Sequence, residues 1–314
     1  MTVAAILLVY AASVGTVGSR LLGRSRWALR APLPGIALYL AAAWSVVAAL
    51  GLAGLTLAVH ATALGGGLSR LIGACVIRLR DTYATPGGAA VAGLGLTLAG
   101  AVVARTAVTA ATYWHAVRRQ AVRHAETARL VGRPDPDLGA MLVDHARPAA
   151  YCVAGPHPTV ILTTAALQAL DPDQVDAVLA HERAHLASHH HLLLAIARIG
   201  RRVLPFLPLM RDADTQITRL VEMHADDAAT AGRDAGPLAT ALVVLAAAGP
   251  APGLAAAATD TVQRIQRLLR PAEPLSRVRR QLLGAGAAAL ALTPVLLALT
   301  PAIVALALGR VPAA

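Results

Sequence analysis

The 314-residue chain is 56% hydrophobic and only 14% charged, with a net charge of +11 at pH 7. So little charge argues against a wholly soluble protein and for a membrane protein carrying a modest polar domain. Its basic residues are all arginine, and they cluster beside apolar segments, where they set topology, so nucleic-acid binding is set aside.

Thr2 to Ser19 is uncharged and long enough to span a bilayer. No basic region precedes it, so it reads as a true span rather than a signal peptide. Arg20, Arg24, Arg26 and Arg30 follow, which places the N-terminus outside. Ala31 to Val59 is a second uncharged run. Pro32 and Pro34 put its helix start near Gly35, and it returns the chain to the outer face. Residues 60–85 then form an outside loop whose Arg70, Arg78 and Arg80 run against the assigned topology. Leu68 to Leu79 reads either as an interfacial helix or as a plain connection. Pro86 to Ala104 is the third span, able to continue past Arg105 to Trp114, with Tyr113 and Trp114 as an interfacial anchor. Arg118, Arg119, Arg123, Arg129 and Arg133 come next, so this span ends inside and residues 115–280 form a cytoplasmic domain.

In that domain Arg133-Pro-Asp-Pro-Asp137 is a turn-rich joint. Tyr151–Val153 and Pro158–Thr164 read as short strands, and His157 between them as a loop residue. A helix is announced by Asp171 at its N-cap, Pro172 in the first turn and Gln174 three residues on, a capping-box pattern. Val175, Val178, Leu179 and Leu186 give it an apolar stripe. On it lies His181-Glu182-x-x-His185. Positions i and i+4 share a helix face, so the two histidines can hold one metal ion, and Glu182 can reach a water bound to it. Zinc suits two neutral histidines and a carboxylate.

Of His189, His190 and His191, at most one can face such a metal, because consecutive helical residues point about 100° apart. They read as solvated helix surface. Residues 192–210, interrupted by Arg198, Arg201, Arg202, Pro205 and Pro208, suggest a membrane-hugging or re-entrant hairpin. Glu222 and Asp226, again i and i+4, offer a third ligand and a carboxylate to hold a histidine's other nitrogen. His224, two residues from Glu222, faces elsewhere. Gly249 to Gly253 breaks the uncharged stretch Ala235–Thr259, which therefore reads as a buried helix rather than a span. Gln281 to Gly309 is the last span, with kinks expected at Pro294 and Pro301 and the C-terminus outside. Cys75 and Cys152 lie on opposite sides of the membrane in this topology and read as incidental small hydrophobes.

H-E-R-A-H followed by E-x-x-A-D resembles the gluzincin metallopeptidases, and within them the integral-membrane BlaR/MecR-type family, whose members pass signals by regulated proteolysis. That resemblance implies His181, His185 and Glu222 as zinc ligands, Glu182 as general base and Asp226 as the carboxylate behind a zinc histidine. In gluzincins a strand at the place of Pro158–Thr164 forms a sheet edge beside the cleft; a core strand is the other reading. Arg264-Ile-x-Arg267-Leu268-Leu269 resembles a helix that follows the zinc domain in the family, with its arginines at the inner membrane surface. Ste24/HtpX-type membrane proteases place spans between H-E-x-x-H and the glutamate, for which this sequence leaves little room. Sensor members carry a penicillin-binding domain after the last span, and none is found here.

The expectation is a mainly α integral membrane protein. About four transmembrane helices carry a cytoplasmic α+β gluzincin-type zinc-peptidase domain inserted before the last helix. Residues 1–114 form a three-span region, 115–280 the peptidase and 281–314 the final span and tail. The expected activity is zinc-dependent endoproteolysis of a cytoplasmic regulator, such as a transcriptional repressor, or of the protein itself. A non-catalytic signal transducer, a Ste24/HtpX-type quality-control protease and a transporter are the alternatives. Zinc, a bilayer and a protein or peptide substrate are the expected partners. The Lys-free, Ala-rich composition points to a GC-rich bacterial genome.

Overall fold

The computed structural model describes residues 2–23, 26–58, 88–155, 157–248, 255–270, 273 and 275–307. The loop expected over 60–85, with its arginines and Cys75, lies outside these residues. So do Arg24, the Gly249–Gly253 break and the chain after residue 307.

Among the described residues, four helices are long and apolar enough to cross a membrane. They are α1 (Thr2–Gly23), α2 (Pro32–Ala58), α3 (Gly88–Val131) and, at the end of the chain, α10 (Arg277–Ala307). Helix α2 starts at Pro32 rather than near Gly35. Both prolines fall in the first turn, where no backbone N–H needs an intrahelical partner. Helix α3 runs unbroken through Trp114 and His115 for 44 residues. That is about 66 Å, twice a hydrocarbon thickness of about 30 Å, so its second half projects out of any bilayer the first half spans. Helices α2 and α3 cross at Gly54 and Gly95, where a Cβ on either would come within 2.6 Å of the other's carbonyl oxygen. Helix α10 continues through Pro294 and Pro301.

A small mixed sheet follows α3, in the order β1-β2-β4-β3. Its strands are β1 (Gly132–Asp135), β2 (Ala140–Val143), β3 (Ala150–Val153) and β4 (Thr159–Thr163). The joint expected at Arg133–Asp137 is half strand and half turn. Pro134 is tolerated because β1 is an outer strand, and the Asp135 carboxylate accepts from the backbone N–H groups of Asp137 and Leu138, both at 3.0 Å. Strand β4 pairs parallel with β2 and antiparallel with β3, so it is a core strand and not the edge. Outer position beside the histidine helix falls to β3.

Helices α4 (Thr164–Ala169), α5 (Pro172–Ala187), α6 (His190–Val203), α7 (Pro208–Ala229), α8 (Gly236–Ala247) and α9 (Ala255–Leu269) complete the chain before α10. The capping box forms on α5, where Asp171 N–H donates to Gln174 Oε1 at 3.2 Å. Helices α5 and α8 pack with the sheet through Val160, Leu162, Val178, Leu179, Leu238 and Ala241. A second core joins α6 and α7 to α2 through Ile36, Tyr39, Val46, Ile199, Met210 and Ile217. The segment 192–210 thus forms the first arm and the turn of a helical hairpin packed against the spanning helices. It is α6 and a turn leading directly into the helix that carries Glu222. That turn packs between spanning helices: Leu207 meets α1 at Gly15, and Arg105 of α3 donates to the carbonyls of Val203 (2.6 Å) and Arg202 (2.9 Å). Gly236–Ala247 is a short helix of the polar region, as its broken apolar pattern predicts.

Candidate metal centre

Helices α5 and α7 lie side by side, and three side chains meet between them. The His181 and His185 Nε2 atoms are 3.1 Å apart. Glu222 brings one carboxylate oxygen to 3.5 Å from the first and the other to 3.6 Å from the second. Ligands at about 2.0–2.1 Å around a tetrahedral zinc are separated by about 3.3 Å; the two histidine nitrogens have that spacing, and one ligand atom from each of the three residues lies within 4.8 Å of the others. The chemistry fits as well, because two nitrogens and a carboxylate converge on one point.

Asp226, wholly buried one turn after Glu222, sets its Oδ1 3.1 Å from His181 Nδ1. The carboxylate faces that nitrogen as an ion-pair partner, while Nε2 faces the centre. Burial alone would lower His181, but hydrogen bonds to Asp226 and Glu222 override it and push the imidazole up to about 9. Without a metal, a proton supplies the cation this pocket is built to hold. Burial pushes His185 down to about 4. Glu222 is half-buried, which by itself would raise it, yet its hydrogen bond with His181 and the nearby Arg264 hold it below the usual carboxylate range.

Glu182 stands next to His181 with its carboxyl raised by burial. Beside it is Cys152 of β3, whose thiol burial, reinforced by the charge and hydrogen bond of Glu182, pushes up to about 12. One turn beyond Glu182, Leu186 walls a cavity of about 400 Å³ closed by Trp114 and Val117 of α3 and by Ala154 and Gly155 after β3.

Three residues have places that sequence reasoning missed. The family resemblance puts Arg264 and Arg267 at the inner membrane surface. Instead Arg264 Nε and Nη2 fork onto Asp226 at 2.8 and 2.7 Å, while Nη1 reaches Glu222 at 3.0 Å. Arg267, one turn on, bonds Asp227 at 2.6 Å. The i, i+3 spacing of the two arginines was the available signal. His190 is buried at 1% exposure rather than solvated. Its Nδ1 lies 2.9 Å from His185 Nδ1 and its Nε2 2.9 Å from His224 Nδ1. His189 and His191 are exposed, and His157 lies in the β3–β4 turn away from the centre.

Residues 115–211 match peptidase family M48. The M48-like segment runs from the second half of α3 through the sheet and the H-E-x-x-H helix to the first turn of α7. It stops before Glu222, whose place in the triangle rests on the geometry. No curated protein and no solved structure matches the chain. The M48 match, the four apolar helices and the ligand triangle together support a membrane-type metallopeptidase.

Proposed function

We propose that the chain is a membrane-embedded zinc endopeptidase, with His181, His185 and Glu222 as ligands and Glu182 as general base. The observation that carries this reading is the triangle of ligand atoms with a burial-raised carboxyl at its side. When bound, zinc supplies a Lewis acid that polarises the scissile carbonyl and acidifies water. Glu182 takes the proton of the attacking water and returns it to the leaving amine; its raised pKa suits both tasks. Asp226 keeps His181 Nε2 turned to the metal. Arg264 holds Asp226 and Glu222 in place and lends positive charge where the carbonyl oxygen becomes negative. An extended peptide adds to the outer edge of β3, beside Glu182, with a side chain entering the cavity beyond Leu186.

The arginines of α3 at 118, 119 and 123 support a cytoplasmic site, and hence a cytoplasmic regulator or the protein itself as substrate. Among the described residues, α6 is too short to span, and this supports the regulator reading over a Ste24/HtpX-type arrangement. The M48 match does not choose between these substrate classes. Glu182→Gln tests the mechanism. Co-expressed with a fragment library of cytoplasmic proteins, the wild type should give cleavage products that this variant does not. Products from both at equal rate would contradict the role of Glu182.

A further inference from the structure

Both histidines of the triangle turn Nε2 to the centre, so each must carry its hydrogen on Nδ1 to leave Nε2 a free lone pair. For His181 the group facing that nitrogen is a carboxylate, Asp226, at 3.1 Å. For His185, among the described residues, no carboxylate is placed there. The atom at 2.9 Å is Nδ1 of His190. Once His185 Nδ1 donates, His190 Nδ1 must accept, which puts the His190 hydrogen on Nε2. That hydrogen points at His224 Nδ1, again 2.9 Å away. The three rings follow one another edge to face, with centroids 4.8 and 5.1 Å apart. Every hydrogen in the chain has a single consistent place, and the reverse direction would put a hydrogen on His185 Nε2 and close that nitrogen to a metal.

Backbone geometry shows how His190 reaches this position. On an unbroken helix, the residue five after His185 would face away from it. His189 breaks the helix by adopting a left-handed conformation, with φ of 51°. Non-glycine residues hold that conformation only where the surroundings enforce it. Here the break turns α6 so that its first residue is driven into the core against His185.

We infer that His190 is a positioning residue for the metal, holding His185 in its metal-binding tautomer through Nδ1, with His224 as the acceptor that fixes His190 in turn. The inference rests on the metallopeptidase reading, since it takes His185 as a ligand. Outer partners of metal histidines contribute about 10–100-fold in metal affinity.

The test is zinc affinity of the full-length detergent-purified protein, read by competition with a zinc chelator, together with the melting temperature of each metal-free variant. His190→Ala should weaken zinc binding by about 10–100-fold. His190→Asn places an amide oxygen where Nδ1 stood and should stay within about threefold of the wild type, although it no longer reaches His224. Ile199→Ala, in the same helix and buried in the α2 core, should lower the melting temperature and leave zinc affinity unchanged. Wild-type affinity in His190→Ala, Asn as weak as Ala, or an equal loss in Ile199→Ala would each overturn the inference while leaving the metallopeptidase reading intact. A wild type that binds no zinc would overturn both.

Discussion

Asp226 is wholly buried, and a buried carboxylate persists only where its charge is met. Burial would raise it, but the Arg264 fork and His181 hold it down to about 2. Replacing Arg264 by Ala strands that charge, and about 3–5 kcal/mol of stability should be lost. Lys, which keeps charge without the fork, should recover only part of the melting temperature. Equal melting temperatures for Ala and wild type would show that the fork is ornamental. His181 gives a prediction in pH. Its folded value of about 9 lies above the ordinary 6.5, so its contribution to the metal-free fold is complete below pH 6.5 and lost as pH rises through 9. Zinc must displace that proton, so its apparent Kd should fall about tenfold per pH unit from 6.5 to 8.5. A flat profile would mean that His181 is neutral in the metal-free protein. Sequence reasoning reached His181, Glu182 and His185 because helical spacing brings them together. Glu222 and Asp226 were legible as a second i, i+4 pair. His190 and Arg264 were not, because a left-handed residue places one and a helix 38 residues beyond Asp226 places the other.

At the scale of elements, α6 closes on the Leu204 N–H, which donates to the Gly200 carbonyl at 3.1 Å, and its last two carbonyls are met from another helix. Arg105, on a helix expected to run through lipid, supplies both hydrogen bonds to its last carbonyls. Arg105→Ala should cost about 1 kcal/mol, as a lost charged cap does, and lower the melting temperature by a few degrees. No change would show that the contact is not made in solution. Strands β1 and β2 were illegible, since Pro134 and Pro136 suppress a strand signal and β2 is only four residues long. Capping residues made α5 legible almost to the residue, because its box is built from side chains close in sequence.

Across the whole molecule, α7 joins the two halves. One face carries Ile217 and Leu220 into the core shared with α2, and the other carries Glu222 and Asp226 to the histidines of α5. The α2–α3 crossing should be the most sensitive point of the membrane region. Gly54→Val drives a side chain into the α3 backbone and should prevent isolation of folded protein, whereas Gly93→Ala meets open space and should be silent. On this reading α5 and α7 together bind one metal ion. Elemental mass spectrometry of the detergent-purified protein tests it most directly. About one zinc per chain is expected in the wild type and in Glu182→Gln, with loss of zinc in Glu222→Ala. A wild type without zinc, or full zinc content in Glu222→Ala, would contradict it.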